Sequence, residues 1–196
     1  MSGKTPIAVL ISGRGSNLQC LIDACAAEDY PARIVAVISN RPDAYGLERA
    51  KEAGIPAIAI DHKAYHTRED FEAALDAALR EAGAEFVCLA GFMRILTEGF
   101  VNQWEGRMIN IHPSLLPKFK GVDTHKRAIE AGESEHGCTV HWVTPGMDEG
   151  PVIAQARVPV LAGDTPETLA ARVLVEEHRL YPQALKMALE KGVEHY

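Results

Sequence analysis

No stretch of this sequence is long and apolar enough to cross a bilayer. The longest run without Asp, Glu, Lys or Arg covers residues 136–147, twelve residues, against the roughly 20 that a spanning helix needs. The N-terminus also lacks an apolar segment of signal-peptide length, because Ile7 to Ile11 leads at once into Ser12-Gly13-Arg14-Gly15. A cytoplasmic protein is therefore expected. Cysteine is scarce and unpatterned: Cys20, Cys25, Cys88 and Cys138 show no CxxC spacing and lie in apolar segments, as reduced core residues do. Positive charge is in deficit, with 20 Lys and Arg against 27 Asp and Glu and a net charge of −7. That balance argues against a nucleic-acid partner, since phosphate backbones are held by clustered Lys and Arg. There is no HExxH and no Cys/His cluster, and His136 and His141, five apart, fall on opposite faces of a strand, so no metal site is expected. A GxSxG elbow is missing too, and Cys88 sits inside a buried apolar run, which leaves no Ser or Cys nucleophile in view.

What remains is an ordinary globular composition. The 196 residues are 47% hydrophobic and 24% charged, enough for a single domain over 1–196 with a core of its own. Short runs rich in Val, Ile and Ala at 5–11, 33–39, 55–60, 85–90 and 108–111 have the character of buried parallel strands. Helical stripes lie between them. Leu18, Leu21, Ile22, Cys25 and Ala26 follow one, and Phe71, Ala74, Leu75, Ala78, Leu79 and Ala82 follow another, opened by Thr67–Asp70 and stopped at Gly83. A shorter helical segment spans 46–53. After His112 a Pro-rich loop precedes a helix near 124–131. Strands at 137–144 and 151–160 then flank a turn at 145–150, and a long helix, bent at Pro182, begins at Asp164-Thr165-Pro166-Glu167. Strand–helix alternation predicts an open, mostly parallel, doubly wound α/β sheet with helices on both faces and an antiparallel element near the C-terminus.

Two places carry chemistry. Ser12-Gly13-Arg14-Gly15-Ser16-Asn17 falls where the first strand turns into the first helix. Glycines there let the backbone approach a ligand, and the helix start favours an anion. The dinucleotide fingerprint fails at Leu18, the second strand ends in Ser39-Asn40-Arg41 without an acid, and no Gly-Lys-Ser/Thr follows. A single-phosphate site fits better than a dinucleotide site, with an unliganded tight turn as the plain alternative. The second place is Met108-Ile109-Asn110-Ile111-His112-Pro113. Period-two geometry sets Asn110 and His112 on one face at the carboxyl edge of the sheet. An amide can donate to a developing oxyanion and an imidazole can move a proton near neutral pH, which suits acyl transfer between nitrogens through a tetrahedral oxyanion. A hydrogen-bonded structural pair is the competing explanation. Asp148, in the 145–150 turn, is the candidate acid for His112 if it folds back onto the imidazole, with a plain turn former as the alternative. Arg68, opposing the helix dipole in its first turn, suits an anionic ligand, with a solvated surface arginine as the plain alternative.

Asn110-Ile111-His112-Pro113-Ser114-Leu115-Leu116-Pro117, with Gly137-Cys138-Thr139-Val140-His141-Trp142-Val143 and Asp148-x-Gly150, resembles the signature of the folate-dependent formyltransferases. The 12–19 segment and Ala90-Gly91-Phe92-Met93-Arg94-Ile95-Leu96 are similar to the branch that formylates glycinamide ribonucleotide in purine biosynthesis. The resemblance runs from about 7 to 189 and implies a Rossmann-like formyltransferase fold. It implies two small-molecule substrates, glycinamide ribonucleotide and 10-formyltetrahydrofolate as cosubstrate, no metal, and a monomer or homodimer. By the same resemblance His112 is the acid/base, Asn110 polarises the formyl carbonyl and Asp148 holds His112. Gly15, Ser16 and Asn17 would bind the substrate phosphate and Glu177 the glycinamide end. The folate would lie against Met93, Arg94, Ile95 and Leu96, with Phe100 and Val101 lining an apolar slot, Arg68 facing its glutamate tail, and Thr144, Met147 and Asp148 closing over the pterin. Two positions depart from the relatives' pattern: Leu174, where a Lys or Gln is common, and Asp123 with its neighbours 118–120, where some carry a His.

Three other functions compete. A formyltransferase acting on methionyl-tRNA would carry a further C-terminal domain and a basic surface, and a formyltetrahydrofolate hydrolase would carry an N-terminal regulatory domain. A non-catalytic binder of phosphorylated metabolites would have no need of Asn110, His112 and Asp148 together.

Overall fold

A computed structural model of the chain describes residues 3–193. Seven strands hydrogen-bond in the order β3-β2-β1-β4-β5-β6-β7, a mostly parallel sheet ending in an antiparallel pair. The chain divides into two compact units, one up to Ile109 and one from Asn110.

The first unit holds β1 (Thr5–Ile11), β2 (Ala32–Ser39), β3 (Ala57–Ala59) and β4 (Phe86–Leu89). β1 pairs in parallel with both β2 and β4, and β2 with β3. Ile7 to Ile11 are wholly buried, as the unbroken apolar run required. The connecting helices are α1 (Ser16–Cys25), α2 (Gly46–Glu52), α3 (Arg68–Glu81) and α4 (Glu98–Gln103), with a 3₁₀ turn at His62–Ala64. The predicted third strand of 55–60 shortens to three residues, and α4 and the 3₁₀ turn add to the elements that the sequence pattern predicts. Thr67 opens α3 by accepting from the Asp70 N–H at 3.0 Å. Thr97 opens α4 in the same way, and Glu72 fixes Thr97 in turn, its carboxylate accepting from the Thr97 N–H and hydroxyl. α4 thus depends on a carboxylate 25 residues away, a contact that no local pattern shows.

The second unit begins within β5 (Met108–His112), followed by α5 (Thr124–Glu130), the antiparallel strands β6 (Glu135–Trp142) and β7 (Val152–Pro159), and α6 (Pro166–Lys191). α6 is capped by reciprocal bonds between Thr165 and Thr168 and continues through Pro182. Gly137 and Gly150 lie against the backbone of Ala156 and Trp142, approaches that leave no room for a Cβ. The β6–β7 register shifts between Val140 and His141. Such irregularities re-aim side chains beside functional sites. Among the described residues no helix is long and apolar enough to cross a membrane, and no group of three or more His, Cys, Asp and Glu is placed to hold a metal ion.

Candidate active site

In the second unit, β5 ends at His112 because Pro113 cannot extend it. His112 is 6% exposed, and both ring nitrogens face acceptors. Nε2 lies 2.9 Å from the Phe119 carbonyl, which can only accept, so Nε2 carries a proton. Nδ1 lies 3.6 Å from Asp148 Oδ2, an ion-pair separation rather than a hydrogen bond. Asp148 is itself held. Its Oδ2 accepts from the Gly121 N–H at 2.9 Å, while its Oδ1 passes 3.9 Å from His141 Nε2, beyond hydrogen-bond distance. The residue adopts a left-handed backbone, φ 53°, which Asp tolerates better than most residues. Phe119 is also left-handed, φ 54°. A bulky side chain adopts that conformation at a cost, sustained here by surrounding contacts: its ring packs edge-on to His136 and lies under Arg127.

Asn110 points its amide at His141, Nδ2 to Nε2 at 3.4 Å. His141 Nδ1 lies 2.9 Å from the Trp142 carbonyl, so Nδ1 is the protonated nitrogen and Nε2 the acceptor for Asn110. Burial pushes the His141 pKa down from the usual histidine value, which keeps the ring neutral in this role. Behind His112, His125 Nδ1 and His136 Nε2 are 3.1 Å apart. Burial lowers both, His136 to about 4. Glu177 on α6 is buried, and Thr144 is half-buried while Met147 is exposed.

The first unit carries the other candidate residues. Gly15 precedes α1 with φ 76°, and a Cβ there would stand 2.8 Å from the Gly46 Cα. Three successive carbonyls of this loop are occupied: the Gly46 N–H donates to Gly13 O at 3.0 Å, Arg49 Nε to Arg14 O at 2.7 Å, and the Gln19 N–H to Gly15 O at 2.8 Å. α1 has neither a side-chain cap nor an acid in its first turn. A helix start with no acidic side chain beside its positive dipole end favours an anion. Residues 93–96 follow β4 and are fixed at both ends, by Met93 N–H donating to Ser12 Oγ at 2.8 Å and by Thr97 on Glu72. Between those ties Met93 and Ile95 are 69% and 65% exposed. Arg68 is exposed at the start of α3, whereas Phe100 and Val101 are buried.

A family model described as formyl transferase matches residues 5–185. The chain is a member of the formyl transferase family. It is 50% identical to phosphoribosylglycinamide formyltransferase of Escherichia coli, over 90% of this chain and 83% of that protein. It is 55% identical to the trifunctional purine biosynthetic protein adenosine-3 of Drosophila pseudoobscura, over 92% of this chain but only 13% of that much longer protein. The solved phosphoribosylglycinamide formyltransferase of Brucella melitensis is 52% identical, with a TM-score of 0.90 over 93% of this chain and 94% of that one.

Within this formyl transferase, Asp148 lies 3.6 Å from His112 Nδ1, and Asn110 stands two residues before His112 on β5. Three further groups at this candidate site lie outside the residues that the sequence points to. A lone histidine in the buried run Val140-His141-Trp142 needs a partner, and that is the signal for His141. The Phe119 carbonyl and Gly121 N–H are main-chain groups whose roles follow from loop conformation, which side-chain patterns do not report.

Proposed function

We propose that this chain transfers the formyl group of 10-formyltetrahydrofolate to the amine of glycinamide ribonucleotide, in the cytoplasm, as a monomer or homodimer, with the two units working as one formyltransferase domain. The observation that carries the reading is the His112–Asp148 pair at 3.6 Å, with Asn110 oriented by His141 in the same unit. The single family model across 5–185 supports treating both units as one functional domain.

The cosubstrate supplies the formyl carbon. Asn110 donates from its amide to the formyl oxygen as negative charge develops there, a stabilisation that costs no reorganisation because His141 already fixes the amide. His112 takes the proton released by the attacking amine and returns one to the departing folate nitrogen, so that one N–C bond forms as another breaks. Asp148, 3.6 Å from Nδ1, holds the orientation of the ring. Gly15, Ser16 and Asn17 receive the substrate phosphate at the start of α1, and Glu177 binds the glycinamide amine. The exposed, doubly anchored apolar segment with Met93, Arg94, Ile95 and Leu96 suits one face of a flat heterocycle, Thr144, Met147 and Asp148 cover the pterin, and Arg68 takes the glutamate tail.

A spectrophotometric assay with glycinamide ribonucleotide and a 10-formyl folate tests this. Deformylation that requires the amine is expected. Deformylation at the same rate without amine indicates a hydrolase instead, and ligand-induced thermal stabilisation without turnover indicates a binder.

A further inference from the structure

Ser12 and Asn40 are polar side chains 5% and 2% exposed at the carboxyl ends of β1 and β2, where open α/β sheets receive ligands. Asn40 stands where dinucleotide-binding sheets place an acid for a ribose, but here it turns inward. Its Oδ1 accepts from the Ser12 hydroxyl at 2.5 Å, and His62 Nδ1 lies 3.2 Å from both the side-chain Nδ2 and the main-chain oxygen of Asn40. Ser12 Oγ in turn accepts from the Met93 N–H at 2.8 Å. One connected set of bonds therefore joins the segments that follow β1, β2, β3 and β4. Buried polar groups are costly unless every partner is present, and all of these bonds link one loop to another.

We propose that Ser12, Asn40 and His62 form a positioning network that sets the phosphate-binding loop and the 93–96 segment as a unit, so that disturbing it weakens both substrates together while leaving the chemical step intact. The proposal rests on the substrate assignment above. Neither Ser12 nor Asn40 has a place among the groups that hold substrate or move protons. Asn40→Ala removes the acceptor for Ser12, while His62 keeps the Asn40 main-chain oxygen as a partner. Ser12→Ala removes the acceptor for Met93 and the donor toward Asn40.

Steady-state kinetics on the full chain decide the matter, with thermal unfolding as a check on folding. Each alanine variant is expected to raise KM for both glycinamide ribonucleotide and 10-formyltetrahydrofolate about tenfold, the scale of one lost buried hydrogen bond, with kcat within about threefold. The double variant is expected to be no worse than the poorer single one, because members of one network are not additive. Asn40→Asp, which keeps an acceptor for Ser12, is expected to restore most of both KM values. Unchanged KM values, a rise for one substrate only, a fall confined to kcat, or multiplying effects in the double variant would each overturn the network. If Asn40→Ala does not fold, Asn40→Ser takes its place under the same expectations. Wild-type protein without amine-dependent transfer would sink the underlying substrate reading, whereas active wild type with unmoved KM values in the variants sinks the network alone.

Discussion

His141 decides how Asn110 presents its amide, because its protonated Nδ1 is committed to the Trp142 carbonyl and only Nε2 is left to accept. His141→Phe keeps the ring volume and removes that acceptor, so Asn110 loses its restraint without losing its donors. We expect kcat to fall about tenfold with smaller changes in KM, the size of effect for one hydrogen bond in a positioned donor; equal kcat in the variant would remove His141 from the site. Asp148→Asn separates charge from scaffolding. An amide oxygen can still accept from the Gly121 N–H, which Asp148 now binds at 2.9 Å, while the carboxylate facing His112 Nδ1 is gone. A loss of roughly 10²–10⁴ in kcat is expected, as is usual when acid/base function is removed, with His112→Ala falling in the same range. Asn110, His112 and Asp148 were legible because their residue types are costly at the end of a buried strand or distinctive in a turn. His141 was obscured because its meaning depends on a register shift in β6–β7, which sequence periodicity does not contain.

The elements were read where burial imposes a uniform pattern and misread where a distant side chain sets the boundary. β1 was found at its full extent because all of Ile7 to Ile11 is core. α4 was missed because six residues carry little periodic signal and its start is fixed by Glu72 from α3. The loop before α1 shows the same division. Its glycines announced a close approach, but not that α2 is the neighbour approached. With Gly15 at φ 76° and a Cβ there 2.8 Å from Gly46 Cα, Gly15→Ala must displace either the loop or α2. Ser16→Asp instead leaves the backbone and adds negative charge at an anion-favouring helix start. Both variants are expected to raise KM for the nucleotide at least tenfold while the folate KM changes little. Nucleotide affinity unchanged in Ser16→Asp would take the phosphate away from this loop.

At the scale of the whole molecule, acid should loosen the fold before its carboxylates are neutralised, and buried histidines are the reason. Burial holds His136 at about 4 against an ordinary 6.5, and lowers His125 and His141 in the same direction. Between those two values the unfolded chain has taken up protons that the folded chain refuses, so it binds more protons and stability falls as pH is lowered. The histidine contribution is complete above about pH 6.5, erodes through the window and levels off below about 4, with His136 supplying about 3 kcal/mol at most. Asp164, held below the usual carboxylate range by its hydrogen bonds from Arg172, acts only below its ordinary 3.8, outside that window. Urea unfolding midpoints at pH 4.5, 5.5, 6.5 and 7.5 test the argument. The wild-type midpoint should drop steadily below pH 6.5, and His136→Gln, which cannot take up a proton, should flatten that slope whatever it does to stability at neutral pH. An equally steep slope in the variant would mean that the acid sensitivity of this fold lies elsewhere than in His136.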